Sequence, residues 1–429
     1  MKSLRIALFI FLFSNLCFSQ TGWYQVNSGT NNTLFSICFI NLNTGFAGGY
    51  NGTLLKTVTT GNSWQIINLN DTNLYIQKIY FKDQSTGFVL ANKLESFNWF
   101  SQIYKTTNGG NNWFLDQTQI DNVLLLNIEF VNSNIGYMSG GLYANDPGKF
   151  FKSTNGGLSW EELETGLSRS LSSQKFINEF TGFAGTSYGI YKTTDGAYSW
   201  QRVHENYSRV YSIKFINAAT GFACGGSYTG EPNNINKSRY ILKTTDGGNN
   251  WNFIYRDTAD AVMSDILINS EGIIYGCGGI QSGFIIKTTN GGANWITELT
   301  SASNWLSNIT NSNLKGYSVG ANGTIFKKDN IVSITQISTG VPSSIKLYQN
   351  YPNPFNPETT IKFDISKSGF ISLKIYDISG KEVQNLFNGV KEAGSYQLKF
   401  DGANLNSGVY FYKLITNGTT ITKSMVLVK

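Results

Sequence analysis

The chain has 429 residues, a formal net charge of +6 at pH 7, 45 glycines, 29 Phe, 23 Tyr and 9 Trp, and only 14% charged residues. That length allows two or more domains, and a glycine- and aromatic-rich composition poor in charge excludes a disordered chain. The lysines and arginines are scattered without a stripe or cluster, which argues against nucleic acid as a partner.

Residues 1–20 open with Lys2 and Arg5, continue with the apolar run Ile6–Phe13 and end in Cys17-Phe18-Ser19-Gln20. This is the charged, apolar and small-residue order of a secretory signal peptide, with cleavage expected after Ser19. No later segment reaches the roughly 18 apolar residues of a spanning helix, so the mature protein is expected to be exported and soluble, with no membrane span. Loss of Lys2 and Arg5 lowers the charge from +6 to +4. Cys38, Cys224 and Cys277 remain, with no CxxC pair and no neighbouring His, which argues against a zinc site or a disulfide framework. Cys224 and Cys277 take equivalent places in Phe222–Gly226 and Tyr275–Gly279 and read as small buried fillers.

From residue 21 the chain repeats. Lys243-Thr244-Thr245-Asp246-Gly247-Gly248-Asn249-Asn250-Trp251 has counterparts at Lys56–Trp64, Lys105–Trp113, Lys152–Trp160, Lys192–Trp200 and Lys287–Trp295, each with Lys and Trp eight positions apart. A period of roughly 45 residues marks stacked or radial units. Each unit reads as four short strands with turn chemistry between them: an alternating run such as Val210–Asn217, a Gly-aromatic strand such as Thr220–Ala223, a strand leading into the Lys-Thr-Thr turn, and a strand from the Trp onward. The second strand recurs seven times, at Gly45, Gly87, Gly136, Gly182, Gly221, Ile274 and Gly316, against six Trp-bearing turns. The missing piece is Gly22-Trp23-Tyr24-Gln25-Val26, which resembles Ser63-Trp64-Gln65-Ile66-Ile67. Seven four-stranded blades closed by the N-terminal strand leave no open sheet edge, so residues 21–330 are expected to form a seven-bladed β-propeller.

The turn resembles the Asp-box of BNR-repeat propellers, here Thr244, Asp246, Gly248 and Trp251. Asn108, Asn155 and Asn290 replace the Asp in three copies, and Thr59 does so in the first. A short Asp or Asn side chain accepts N–H groups of its own turn, Gly supplies positive φ and Trp buries its ring, so the motif reads as structural. Over residues 21–330 the repeat looks most like propellers related to the photosystem II assembly and stability factor. That resemblance implies fold rather than function.

Residues 331–344 are rich in Ser and Thr and read as a linker. Residues 345–429 then carry alternating strands at Ile371–Tyr376, Gly394–Phe400, Val409–Leu414 and Thr420–Val428, which predict a small immunoglobulin-like antiparallel sandwich. Tyr351-Pro352-Asn353-Pro354-Phe355-Asn356-Pro357 is expected to be extended. Together with Leu373–Asp377, Gly380–Val383, Ser407–Leu414 and Lys423–Lys429, it resembles the type A C-terminal sorting domain of the type IX (Por) secretion system. The resemblance implies export across both membranes of a Gram-negative cell, secretion or surface attachment, and the secretion machinery as partner.

Three loops between second and third strands are enlarged: Leu94–Phe100, Leu142–Gly148 and Ser227–Asn234. They lie on the face opposite the Trp-bearing turns and offer Glu95, Phe97, Trp99, Tyr143, Asp146, Tyr228 and Glu231, aromatic and carboxylate groups suited to a glycan or peptide. The mature arginines are Arg169, Arg202, Arg209, Arg239 and Arg256, so the first three blades have none and a sialidase's arginine triad is disfavoured. A chaperone-like assembly factor would need a basic patch that so few arginines make hard to build. His204 has no Ser or Cys partner motif and reads as a surface residue. No metal constellation or phosphate loop occurs, and no cofactor is expected. These residues favour a monomeric, non-catalytic binding scaffold. The alternative is a glycoside hydrolase using two carboxylates from Glu95, Asp146 and Glu231.

Overall fold

The structure, a computed structural model, describes residues 22–142, 146–206, 208–227, 238–269, 273–312, 315–329, 335–338, 340–402, 405–416 and 418–429. The expected signal peptide and the candidate residues Tyr143, Tyr228 and Glu231 lie outside them. The described residues form strands and turns with no helix, and no helix is long and apolar enough to cross a membrane.

The first repeat shows the unit. Leu34–Phe39, Gly45–Gly49, Leu54–Thr57 and Gln65–Ile67 pair antiparallel in that order. Gly45–Gly49 is buried along its whole length, because both faces of a radial sheet pack against neighbouring sheets. Among the described residues the pairings give five such four-stranded sheets and one of eight strands that combines two more groups. The first strand of each group touches the next around a circle: Leu34–Phe39, Leu74–Phe81, Leu125–Phe130, Leu171–Phe176, Arg209–Phe215, Ala261–Ile268, Leu306–Ser312 and back to Leu34–Phe39. The last group has three strands of its own, and Tyr24–Val26 completes it by pairing Tyr24 with Lys327 and Val26 with Ile325. The result is a β-propeller.

One junction departs from this pattern. Gly221–Ser227 pairs with Ala261–Ile268 through Gly226 with Val262 and Ser227 with Ala261, fusing two groups into one eight-stranded sheet. The approach depends on glycine, since a Cβ on Gly226 would sit 3.0 Å from the Val262 Cα and 2.7 Å from the Ser238 carbonyl.

The Trp-bearing turns hold each blade to its neighbour. Asp246 Oδ1 accepts the N–H groups of Asn249 at 3.1 Å and Asn250 at 3.0 Å, and the Thr244 hydroxyl donates to it at 2.8 Å. Gly248 has φ +77°, and a Cβ there would fall 2.2 Å from the ring of Phe183 in the preceding blade, so the turn lies flat on that ring. Trp251 is buried with edge contacts to Phe183 and Phe215, at 6.1 and 5.9 Å between ring centroids. Burial of such a side chain is worth about 1.5–3 kcal/mol or more. The repeated Lys has its own task. Lys192 Nζ donates to the Gly247 carbonyl at 2.9 Å and to Asn249 Oδ1 at 2.8 Å, one repeat further on. Lys56 reaches Asn111, Lys152 reaches Gly196 and Lys327 reaches Asn62 in the same way.

Hydrogen bonds from Asn250 Nδ2, the Asn250 N–H and the Thr244 hydroxyl hold the Asp246 carboxyl down at about 2. A carboxyl depressed below its ordinary value of about 3.9 stabilises the fold above that value, and loses this as pH falls from about 4 towards 2. Asn108 already does the same work in its own turn, accepting from Asn111 and Asn112. Asp246→Asn should therefore keep the neutral-pH melting temperature and flatten its decline below pH 4. A large loss at pH 7 would contradict this account.

The C-terminal residues form two four-stranded antiparallel sheets, one ordered Thr335–Ser338, Gly394–Asp401, Glu358–Ile365, Lys346–Leu347, the other Glu382–Lys391, Gly369–Tyr376, Gly408–Thr416, Thr419–Leu427. Ile361 and Phe363 from the first share a core with Leu373, Ile375 and Tyr412 from the second. Two expectations change in detail. Thr335–Ser338, within the stretch read as a linker, is an edge strand of the first sheet. The proline segment is not a strand: it makes isolated bridges, Tyr351 with Thr360 and Phe355 with Leu427, and both Tyr351–Pro352 and Asn353–Pro354 are cis.

A candidate binding face opposite the tryptophan turns

The first enlarged loop is a long hairpin. Gly87–Glu95 and Asn98–Thr106 stay in register to Glu95 opposite Asn98, and Ser96 and Phe97 turn the chain with φ of 48° and 67°. Two residues at positive φ make the hairpin turn that matches strand twist, normally built from Asn and Gly. Phe97 sits at the tip with its side chain almost wholly exposed (98%), and Trp99 lies half-buried below it.

Trp99 begins an arc of rings. It meets Tyr75 edge-on at 5.5 Å, Tyr75 meets Tyr50 at 5.1 Å, Tyr50 meets Phe35 at 4.6 Å, and Phe35 lies 6.2 Å from Trp305. The rings come from three consecutive blades. Tyr50 lies in the connection between second and third strands and Trp99 at the start of a third strand, while Phe35, Tyr75 and Trp305 lie at the entry to first strands. Both kinds of position fall on the face away from the Trp-bearing turns. Phe35 is aimed by a bulge: Leu34 pairs with Gly49 and Ser36 with Gly48, leaving Phe35 unpaired between them. Side-chain amides flank the arc. Asn51 donates to Asn32, which donates to Thr53, and Asn322 donates to Asn304, which donates to Thr324.

Charge on this face is grouped. Lys93 pairs with Asp71 at 2.8 Å and with Glu95, so the Glu95 carboxylate is held by a cation. Burial works to raise the Asp71 pKa, but hydrogen bonds from Lys93 and the Asn73 N–H outweigh it and hold the carboxyl low. Further round, Arg169 stacks over Tyr188 at 4.4 Å and Arg209 over Tyr211 at 5.8 Å, so both arginines lie on this side. Asp146 is half-buried. His204 lies mid-strand in Gln201–Glu205, half-buried, and burial lowers its pKa. Among the described residues no group of three His, Cys, Asp or Glu side chains could hold a metal ion.

Of the residues expected from sequence, Glu95, Phe97 and Trp99 share the hairpin, and Trp99 joins the arc. Phe35, Tyr50, Tyr75 and Trp305 were missed, although their places at strand entries and at the Asn51-Gly52 turn put them on the same face by repeat alignment alone.

Comparison with known proteins bears on both halves. Residues 349–429 match the secretion system C-terminal sorting domain family. The sorting domain indicates type IX secretion, so the protein is secreted or displayed at the cell surface, and it implies contact with the secretion machinery. The chain is 29% identical over 163 residues to the photosystem II assembly lipoprotein Ycf48 of Synechococcus sp. (strain CC9902), a match covering 36% of this chain and 44% of that relative's length. Among solved structures, YCF48 bound to D1 peptide superposes with a TM-score of 0.56 at 15% identity, over 73% of this chain and 98% of the other. The GH74 xyloglucanase of Xanthomonas campestris superposes with a TM-score of 0.57 at 10% identity, over 80% and 59%. At these identities the likeness supports the propeller fold alone.

Proposed function

We propose that this protein is a type IX-exported, seven-bladed binding scaffold that holds a neutral glycan on the arc Trp99–Tyr75–Tyr50–Phe35–Trp305 without cleaving it. An N-terminal signal peptide takes it across the inner membrane, and residues 345–429 engage the secretion machinery. The observation that carries the reading is the arc itself: five rings in sequence across three blades, flanked by amides. Ring faces bind the apolar face of a sugar and amides bind its hydroxyls. An acidic ligand would need a cation, and the nearest, Lys93, is already held between the Asp71 and Glu95 carboxylates.

The test is retention of the full secreted protein on a panel of neutral polysaccharides and on peptides, with released sugars measured in parallel. Trp305→Ala and Trp99→Ala should each weaken retention roughly tenfold, the effect of about 1.4 kcal/mol. Tyr198→Ala, exposed on the opposite face, should change nothing. Soluble sugar products that vanish with Glu95→Gln would replace this reading with a glycoside hydrolase, and retention on peptides only would replace the glycan.

A further inference from the structure

The first strands around the propeller axis carry charged side chains that no blade contact explains fully. Lys78, Glu129, Lys175, Lys214 and Asp265 lie on five different first strands. Two pairs form between neighbours. Lys175 Nζ bonds Glu129 at 2.9 Å, while the second Glu129 oxygen accepts the Phe176 N–H at 2.6 Å. Lys214 lies 3.8 Å from Asp265 Oδ1, while Asp265 Oδ2 accepts from Asn308 and from the Ile309 N–H at 3.2 Å. Asn308 in turn accepts the Ile37 N–H at 3.0 Å, and Ser36 accepts the Ile79 N–H at 3.1 Å, so side chains stitch successive blades around the axis.

Lys78 stands at the position equivalent to Ser36, Asp265 and Asn308, judged from the strand registers. A cation cannot accept the neighbour's N–H there. Among the described residues no hydrogen bond or ion pair to Lys78 is found. Its electrostatic neighbours are Lys214, Asp265, Cys38 and Glu129, from four other first strands. In the circular order Lys214 and Asp265 belong to blades across the ring, so the Lys78 ammonium hangs in the central channel. It is surrounded by protein on all sides yet keeps some accessible surface, as a side chain in a narrow channel does. The group holds three lysines against two carboxylates, and both carboxylates are engaged elsewhere. An enclosed, uncompensated ammonium is costly, and burial accordingly pushes the Lys78 pKa down. Loss of its proton would still leave Lys214 facing the same space with a carboxylate whose oxygens are shared.

We infer that the central channel binds a small inorganic anion between the ammonium groups of Lys78 and Lys214. The anion supplies the missing negative charge where Lys78 takes the place of the acceptors Asp265, Asn308 and Ser36.

The probe is halide on the full secreted protein. Crystals of the wild type soaked in bromide should show an anomalous peak in the channel beside Lys78. In solution the melting temperature should rise as chloride replaces gluconate, a much larger anion, at constant ionic strength, and this dependence should be lost in Lys78→Met. A wild-type crystal without a channel peak overturns the inference, as does an equal chloride response in wild type and Lys78→Met. Should Lys78→Met fail to fold, the bromide experiment on the wild type decides alone.

Discussion

Glu298→Ala should lower the unfolding free energy of the propeller by about 3–5 kcal/mol, the cost of removing one partner from a buried charge cluster. Glu298 lies on Ile296–Ala302 with its side chain 12% exposed. It pairs with Lys328 and, at 3.4 Å, with Lys287, and it accepts the Trp23 indole N–H at 3.0 Å. Trp23 precedes the strand that closes the ring and packs edge-on against Tyr275 at 6.1 Å. One carboxylate thus bridges two enclosed cations and anchors the closure. Without it, Lys287 and Lys328 remain as like charges over the same Tyr275 ring. Burial already lowers the Lys328 pKa against the opposing pull of Glu298. In the variant it should fall further, so the unfolded chain binds more protons than the folded one and stability should climb as pH rises towards the ordinary lysine value. Urea unfolding followed by tryptophan fluorescence at pH 7 and pH 9.5 reads both effects. A loss below about 1 kcal/mol, or stability that falls with pH, would show that the closure does not depend on this cluster.

The closure illustrates what the sequence could reveal. Trp23-Tyr24-Gln25-Val26 is recognisable as a displaced fourth strand because strand identity is written in local spacing. Its partner Glu298 is not recognisable, because nothing local sets a carboxylate 275 positions away against an indole. The same limit applies to the repeated lysines. Their spacing from Trp is plain, but the Gly247 carbonyl that explains Lys192 lies a full repeat further on. The hairpin at Ser96-Phe97 read as a loop because neither residue carries the usual signature of positive φ. The aromatic arc draws rings from residue 35 to residue 305, and only superposition of the repeats would align them. The sparse arginines argued against a basic face, yet Arg169 and Arg209 fall on one side because blade entries share a face.

Phe355→Ala should block export. Phe355 is 2% exposed, its ring lies 5.7 Å from that of Phe400, and its N–H donates to the Val426 carbonyl at 2.9 Å while its carbonyl accepts the Val428 N–H at 3.0 Å. Asn353 Oδ1 accepts the Val426 N–H at 2.8 Å. The two motifs at opposite ends of the sorting domain, Tyr351–Pro357 and Lys423–Lys429, are therefore one structure, held by a ring buried between the sheets. Emptying that site costs about 3–5 kcal/mol, a large share of the stability of a domain this small. The expected result is a propeller that is made and folded but retained in the periplasm, with little in the medium or on the cell surface. Tyr351→Ala is the informative companion, since Tyr351 is 82% exposed and its loss should leave the sandwich intact. If Tyr351→Ala also stops export while its domain melts normally, the proline segment is itself read by the secretion machinery. Normal export of Phe355→Ala, with its sorting domain shown to be unfolded, would mean that a folded sandwich is not what the machinery requires.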